Sequence, residues 1–251
     1  MPENNESLTS SSPLISCLCI TRGRTKLLGR AVQSFRDQTY PNKELVLLYE
    51  SGDAETAEYL KTLEDRNIRL VGIPSSEEFN LGKLRNRSVG ECRGEYFCQW
   101  DDDDWSHRER LSFQMRVIKE SGMPACLLFH WLMYDERTGK AYLSNRRPWE
   151  GSLLCKTSLL GGDLVYEEVV RHEDTRLVTE LFRRSLVFPV MMPKLYIYVY
   201  HGGNLCTREH WEKIFRASVE LSAESTSIIR GILDGSYSGE EASRLLDGIE
   251  E

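Results

Sequence analysis

Four aspartates stand in a row at Asp101–Asp104, with Trp100 before them and Trp105 after. Such a run can bind a cation or cap a helix. It follows EYFCQW, an apolar stretch that reads as a buried strand, and precedes a helix start. Two carboxylates about 5 Å apart repel by roughly 3 kcal/mol at an effective dielectric near 20. Open water tolerates that cost and a cleft does not. A divalent cation removes it, and oxygen ligands without clustered His or Cys suit Mg²⁺ or Mn²⁺. The spacing is not that of an EF-hand, because D-x-D-x-D-G with a Glu at position twelve is absent. Asp101 and Asp103 alternate, so an extended segment would turn both to one side and Asp102 to the other. The competing reading is a solvated acidic loop that caps the next helix. The buried strand and the flanking tryptophans weigh against it.

A metal held by one or two carboxylates completes its shell with water and substrate phosphates. Cations for a phosphate are at hand. Lys83, Arg85 and Arg87 precede the EYFCQW strand, and Arg22 and Arg24 follow the first strand. A second acidic pair, Glu173-Asp174, opens EDTRLVTELFRRS. On pattern alone it complements the helix dipole, as Arg183-Arg184 do at the far end. His201 ends a strand and is open to a structural or a ligand role. Trp100, Trp105, Trp131 and Trp149 read as core or rim, with Trp149 also able to stack on a sugar ring.

The elements that must position these groups alternate. PLISCLCI reads as strand one and TKLLGRAVQSFRDQ as a helix with Leu27, Ala31 and Phe35 on one face. KELVLLYE is strand two. Asp53 caps a helix running to about Asp65. IRLVGI is strand three, and NLGKLRNRSVGECR is helical with Leu81, Leu84, Ser88 and Cys92 on one stripe. Strands apolar throughout, separated by amphipathic helices, predict a mostly parallel sheet covered on both faces. Beyond Asp104 the rhythm loosens. Ser106 and Glu109 match a capping box for a helix to about Glu120. ACLLFHWLMY reads as one strand and ERTGK as a hairpin turn. WEGSLLC, LVFPVM and LYIYVYH read as strands, EDTRLVTELFRRS as a helix. From Thr207 the chain reads as mostly helical, with a second capping box at Ser238/Glu241.

The chain has 251 residues, 40% of them hydrophobic, enough for one generous core. Its net charge of −7 offers no general attraction to nucleic acid or to an anionic membrane. The seven cysteines form no C-x-x-C and sit mostly in apolar runs, as expected of reduced thiols in a cytoplasmic protein. MPENNESLTSSS is polar and reads as disordered rather than as a signal peptide. No run of about 20 apolar residues is present to span a membrane.

PLISCLCITRGRTKLLGRAVQSFRDQTYPNKELVLLYESGD followed by NLGKLRNRSVGECRGEYFCQWDDDDW resembles family 2 glycosyltransferases of the GT-A fold. The resemblance covers about 13–204, with several segments matching in order. It implies an α/β fold with a mostly parallel Rossmann-like sheet, a smaller acceptor-side β segment and a helical tail. The implied organisation is a disordered 1–12, a catalytic domain over 13–206 and a helical extension over 207–251. Within the domain, 13–104 would bind the nucleotide and 105–206 the acceptor.

The resemblance also implies roles. Thr21, Arg24, Glu50, Lys83, Arg85, Asp101 and Asp102 would bind the nucleotide. Asp101 and Asp103 would hold Mn²⁺ or Mg²⁺, with His201 as a further candidate. Asp174 would be the catalytic base of an inverting single displacement, Glu173 being the alternative. Trp149 and Glu150, in RRPWEGSLL, fall where acceptor loops occur. The donor would be a nucleoside diphosphate sugar and the acceptor a saccharide or a lipid-linked hydroxyl. The sequence departs from the family at Tyr49-Glu50, where Asp-Asp is usual, at Arg22-Gly23, where Tyr-Asn is frequent, and at His172, where Gly often stands. Two other readings compete. A nucleotidyltransferase would need a G-G-x-G-x-R loop, which CITRGRTKLL lacks. A non-catalytic binding protein would hold the nucleotide or saccharide without turnover. The tail has three uses open to it: packing on the fold, pairing with a second copy, or peripheral contact with a membrane.

Overall fold

The structure, a computed structural model, describes residues 12–74 and 80–249. Nearly all of the N-terminal segment read as disordered lies outside the described residues. The first half alternates as the apolar pattern requires: β1 (Ile15–Thr21), α1 (Thr25–Arg36), β2 (Lys43–Glu50), α2 (Ala54–Lys61), β3 (Ile68–Ile73), α3 (Leu81–Gly90) and β4 (Tyr96–Gln99). Asp53 caps α2, its carboxylate accepting from Thr56 N and the Thr56 hydroxyl. The helix stops at Lys61, four residues short of the expected end.

The second half runs β5 (Trp105–Ser106), α4 (Arg110–Ser121), β6 (Ala125–Leu128), β7 (Leu132–Asp135), β8 (Lys140–Leu143), β9 (Trp149–Lys156), α5 (Thr175–Arg183), β10 (Val187–Val190) and β11 (Tyr196–Tyr200). The tail forms α6 (Arg208–Arg216), β12 (Val219–Glu220), α7 (Ala223–Leu233) and α8 (Gly239–Asp247).

Among the described residues the strands form two sheets. The larger has the order β10-β6-β9-β4-β1-β2-β3, with β4, β1, β2 and β3 parallel and β9 antiparallel to both its neighbours. Both faces of β1 and β2 are apolar because both are covered. Cys17, Cys19, Leu45 and Leu47 pack with Leu28 and Phe35 of α1 and Met115 of α4. Leu18, Val46 and Leu48 pack with Leu177 and Leu181 of α5. The smaller sheet, β12-β8-β7-β11-β5, lies beside the carboxyl end of β4.

Two readings are corrected. ACLLFHWLMY is two strands in two different sheets, β6 and β7, separated at Phe129–Trp131. The run carries little mark of the crossing, because both strands are buried and the corner between them, Phe129–Trp131, is itself largely aromatic and at most half-exposed. Ser106 and Glu109 form no capping box. Ser106 belongs to β5 and its hydroxyl accepts from Arg110 (2.9 Å), while the Glu109 carboxylate accepts from the Thr39 hydroxyl (2.8 Å). The second capping box, Ser238/Glu241, is present at α8.

Arg110 is fully buried and ties the two sheets together. It donates to Gln99 O (3.0 Å) at the end of β4 and to Gly151 O (3.4 Å) on β9, and stacks over the Trp100 and Tyr196 rings at 5.1 and 4.8 Å. The tail packs on the fold. Ile229, Ile232, Ala242 and Leu246 join Trp105, Leu132, Ala141 and Ile197 in one buried cluster on the smaller sheet. Trp211 and Phe215 of α6 enter the main core. Among the described residues no helix is long and apolar enough to cross a membrane.

Leu246 is fully buried, so Leu246→Ala is expected to cost about 2–5 kcal/mol in urea unfolding. A cost near zero would mean that the tail is not part of the core.

Candidate active site

In an open α/β sheet ligands bind beyond the carboxyl ends of the strands. Here β1 and β4 are neighbours and Trp100 N still donates to Leu18 O (3.0 Å). The four aspartates leave the sheet at the next residue. They open onto a cleft of about 390 Å³, within the range of ligand sites.

The four carboxylates draw on partners from several elements. Asp101 accepts from Arg85 of α3 at 2.7 Å. Asp102 and Asp103 share one nitrogen of Arg24, at 3.3 and 2.9 Å. Asp103 also meets His201 Nε2 at 3.1 Å, and Arg30 donates to its carbonyl. Asp104 is buried and accepts from Val199 N (2.8 Å) and the Tyr196 hydroxyl. It therefore anchors β11 and does not cap the following helix. The segment bends at Asp102-Asp103, so the expected alternation gives way to a shared contact of Asp102 and Asp103 with Arg24. Burial, then Asp103, push the Asp102 carboxyl up to about 7, with Arg24 pulling the other way. Burial also holds Asp104 well above the usual carboxylate range, with Asp103 and Asp101 adding to it.

Across the cleft lie Glu173 and Asp174. Glu173 is buried and lies 3.5 Å from Arg85 Nε, so one guanidinium spans Asp101 and Glu173. Asp174 is the N-cap residue of α5 but its side chain makes no capping bond. Helix capping therefore leaves its carboxylate free for the cleft it lines. Burial, followed by Glu173 and Glu150, raises it well above the usual range, against the pull of Arg85.

Two glycines make this closeness feasible. A Cβ at Gly82 would stand 1.7 Å from Glu167 O, and Gly82 N donates to Val169 O (3.0 Å). A larger residue would push α3, and Arg85 with it, away from the segment that leads to Glu173. A Cβ at Gly151 would stand 2.9 Å from Asp101 Oδ2. Both positions carry a sequence signal, a glycine inside a helix and one inside a strand, and both are missed by a search for charged residues.

Most residues expected at the site converge. Thr21, Arg24, Arg85, Asp101, Asp102, Asp103, Trp149, Glu150, Glu173 and Asp174 line the cleft, and His201 reaches it through Asp103. Two do not. Lys83 is exposed, 4.0 Å from Glu168, and outside the cleft lining. Glu50 pairs with Arg22 (3.1 Å), which alone of the two lines the cleft. Trp149 stacks on Trp131 (5.1 Å) and meets Trp211 edge-on (6.0 Å) while still lining the cleft. Arg147, inside the RRPWEGSLL stretch expected near the acceptor, also lines it, as do His210 and Trp211, which were not anticipated. The last two come from α6, far along the chain, and nothing in their local pattern points back to the aspartates.

Among the described residues no three His, Cys, Asp or Glu side chains converge as a metal cage. Asp103 with His201 nevertheless offers a carboxylate and an imidazole side by side, and among the described residues Asp102 Oδ2 is buried without a hydrogen-bond partner. Such a small donor set leaves room for water and phosphate, as Mg²⁺ and Mn²⁺ require.

The sequence profile of glycosyl transferase family 2 matches residues 16–159, more than half of the chain. The chain belongs to glycosyltransferase family 2. Among its relatives, the putative teichuronic acid biosynthesis glycosyltransferase TuaG of Bacillus subtilis is 19% identical over 188 residues, 75% of this chain and 69% of that protein. The chain spans only 44% and 62% of the length of two other relatives. Of solved structures, S. aureus TarS 1-349 in complex with UDP-GlcNAc superposes with a TM-score of 0.63 at 16% identity, covering 76% of this chain and 59% of that one. The mannosyltransferase PcManGT of Pyrobaculum calidifontis, in complex with GDP-Man and Mn²⁺, superposes with a TM-score of 0.59 at 14% identity, covering 95% and 74%. Both share the GT-A fold with this family 2 chain.

In this family 2 site Arg85 serves two carboxylates, with 7% of its side chain exposed. Arg85→Gln should leave Asp101 and Glu173 unpaired and cost roughly 3–5 kcal/mol in urea unfolding. A loss below about 1 kcal/mol would show that the bridge is not needed.

Proposed function

We propose that the chain transfers a sugar from a nucleoside diphosphate sugar to a hydroxyl of a saccharide or lipid-linked acceptor, with inversion at the anomeric carbon. The observation that carries this reading is the pair of carboxylate groups facing each other across one cleft. Asp101–Asp103 stand on the β4 side and Glu173-Asp174 on the α5 side, with Arg85 between them at 2.7 Å from Asp101 and 3.5 Å from Glu173. The nucleotide-sugar complexes of the two structural neighbours support the same donor class.

Donor binding falls to the β1 and β4 side. Thr21, Arg24, Arg85, Asp101 and Asp102 meet the nucleotide and its diphosphate. Asp103, with His201 and Asp101, would hold a divalent cation, which would supply positive charge against the negative charge that grows on the leaving diphosphate. Arg24 and Arg85 add fixed positive charge on the same side.

The acceptor hydroxyl must lose a proton as it attacks, and a single displacement needs one base. Glu173 is committed to Arg85 at 3.5 Å. Among the described residues Asp174 has no such ion-pair partner, and its raised proton affinity suits a general base. This favours Asp174 over Glu173. Trp149 and Glu150 lie beside it and contact the acceptor. A role in the assembly of a polysaccharide fits the name of the B. subtilis relative.

Asp174→Asn is expected to lower the transfer rate at least about a hundredfold while nucleoside diphosphate binding persists. Because its carboxyl is shifted upward, the wild-type rate should rise with pH along an acid limb lying above the ordinary aspartate range near 4. Near-normal turnover of the Asn variant, or a limb at about 4, would remove Asp174 from the mechanism.

A further inference from the structure

In the inner cleft each guanidinium is engaged by two carboxylates: Arg85 by Asp101 and Glu173, and Arg24 by Asp102 and Asp103. The guanidiniums of the outer wall are not so engaged. Arg147, just before β9, and Arg171, just before His172-Glu173, both line the cleft. Among the described residues neither guanidinium lies within 4.0 Å of a carboxylate. Arg147 is only half-buried, and its backbone N–H is fixed to Phe129 O at 3.0 Å.

Two imidazoles share this wall, with the His172 and His210 rings 5.8 Å apart. His172 holds a left-handed backbone (φ 60°), which a non-glycine residue keeps only where its surroundings impose it. The positive groups of the wall act on its other members, the Glu150 carboxylate among them, which burial pushes up and Arg147 and His172 draw down. The His210 imidazole is pushed below its ordinary value, first by burial and then by Arg147, His172 and Lys213. The wall also borders the proposed base, since Cys206 has both Asp174 and Arg171 as charged neighbours.

Unpaired guanidiniums at a cleft mouth have a definite chemistry. Each presents a planar fork of donors that matches a carboxylate or a phosphate. The chain as a whole carries a net charge of −7 and would repel an anionic acceptor unless a local positive wall received it.

We propose that Arg147 and Arg171, with His210 beside them, bind an anionic group of the acceptor, a carboxylate or a phosphodiester, next to the hydroxyl delivered to Asp174. This rests on the transferase reading and narrows its acceptor to acidic saccharides. Asp174 takes the proton inside, and the outer wall holds the neighbouring negative charge.

Calorimetric titration of the full chain tests it with three probes: an oligohexuronate, its methyl ester, and a glycerol phosphate oligomer. At least one anionic probe should bind roughly tenfold tighter than the ester. The preference should vanish in the Arg147→Gln/Arg171→Gln variant and in about 0.5 M salt, and return in part in Arg147→Lys/Arg171→Lys. The two anionic probes tell carboxylate from phosphodiester. Equal binding of all three, no binding of any, or a preference that survives in the double Gln variant would overturn the proposal. Nucleoside diphosphate binding by the wild-type chain is titrated separately. Its failure would strike the transferase reading and not the anion site.

Discussion

Four carboxylates leave a buried strand end in succession, and the molecule is organised around neutralising them. Together they draw counter-charge and hydrogen bonds from several separate parts of the chain. Arg85 comes from the helix before the strand, and Arg24 from the turn after β1. His201 comes from just beyond β11, and the Val199 N–H and Tyr196 hydroxyl from β11 itself. Unpaired, such a row would be costly at a cleft edge. Paired, it locks the smaller sheet against the larger and fixes the cleft wall in the same act. Assembly of the fold and assembly of the site are one set of contacts.

The same logic divides the labour among the aspartates. Asp104 is buried and committed to β11, so it is structural. Asp101 is tied through Arg85 to Glu173 on the opposite wall. Asp102 and Asp103 are held by a single Arg24 nitrogen, the contact that the proposed cation and diphosphate would replace. The charge pattern then changes outward, from paired carboxylates through the uncapped Asp174 to the unpaired guanidiniums at the mouth.

Much of this was legible in the sequence, for physical reasons. Strands buried on both faces read as continuous apolar runs, so β1, β2 and β4 could be placed to within a residue or two, and the edge strand β3 was placed by its apolar, β-branched IRLVGI despite its partial exposure. The acidic row, Arg24, Arg85 and the Glu173-Asp174 pair stood out because charge beside a buried strand is unusual. Less was legible where burial hides the signal. The break between β6 and β7 falls inside one apolar run. The Ser106/Glu109 spacing matched a cap, but Ser106 was drawn into β5 and Arg110. Lys83 shares a segment with Arg85 yet lies on the exposed side of α3, and spacing alone did not separate them. The α6 residues reach the cleft only through tertiary packing of Trp211 against Tyr198 (3.9 Å).

The most direct test of the account is calorimetric binding of UDP and GDP, each with Mn²⁺ and with EDTA, to the wild-type chain and to Asp103→Ala. The account predicts that one nucleotide binds in the presence of metal and that binding weakens at least about tenfold with EDTA or with Asp103→Ala. Binding that ignores both metal and Asp103, or no binding of either nucleotide, would contradict the assignment of the acidic row to a donor clamp.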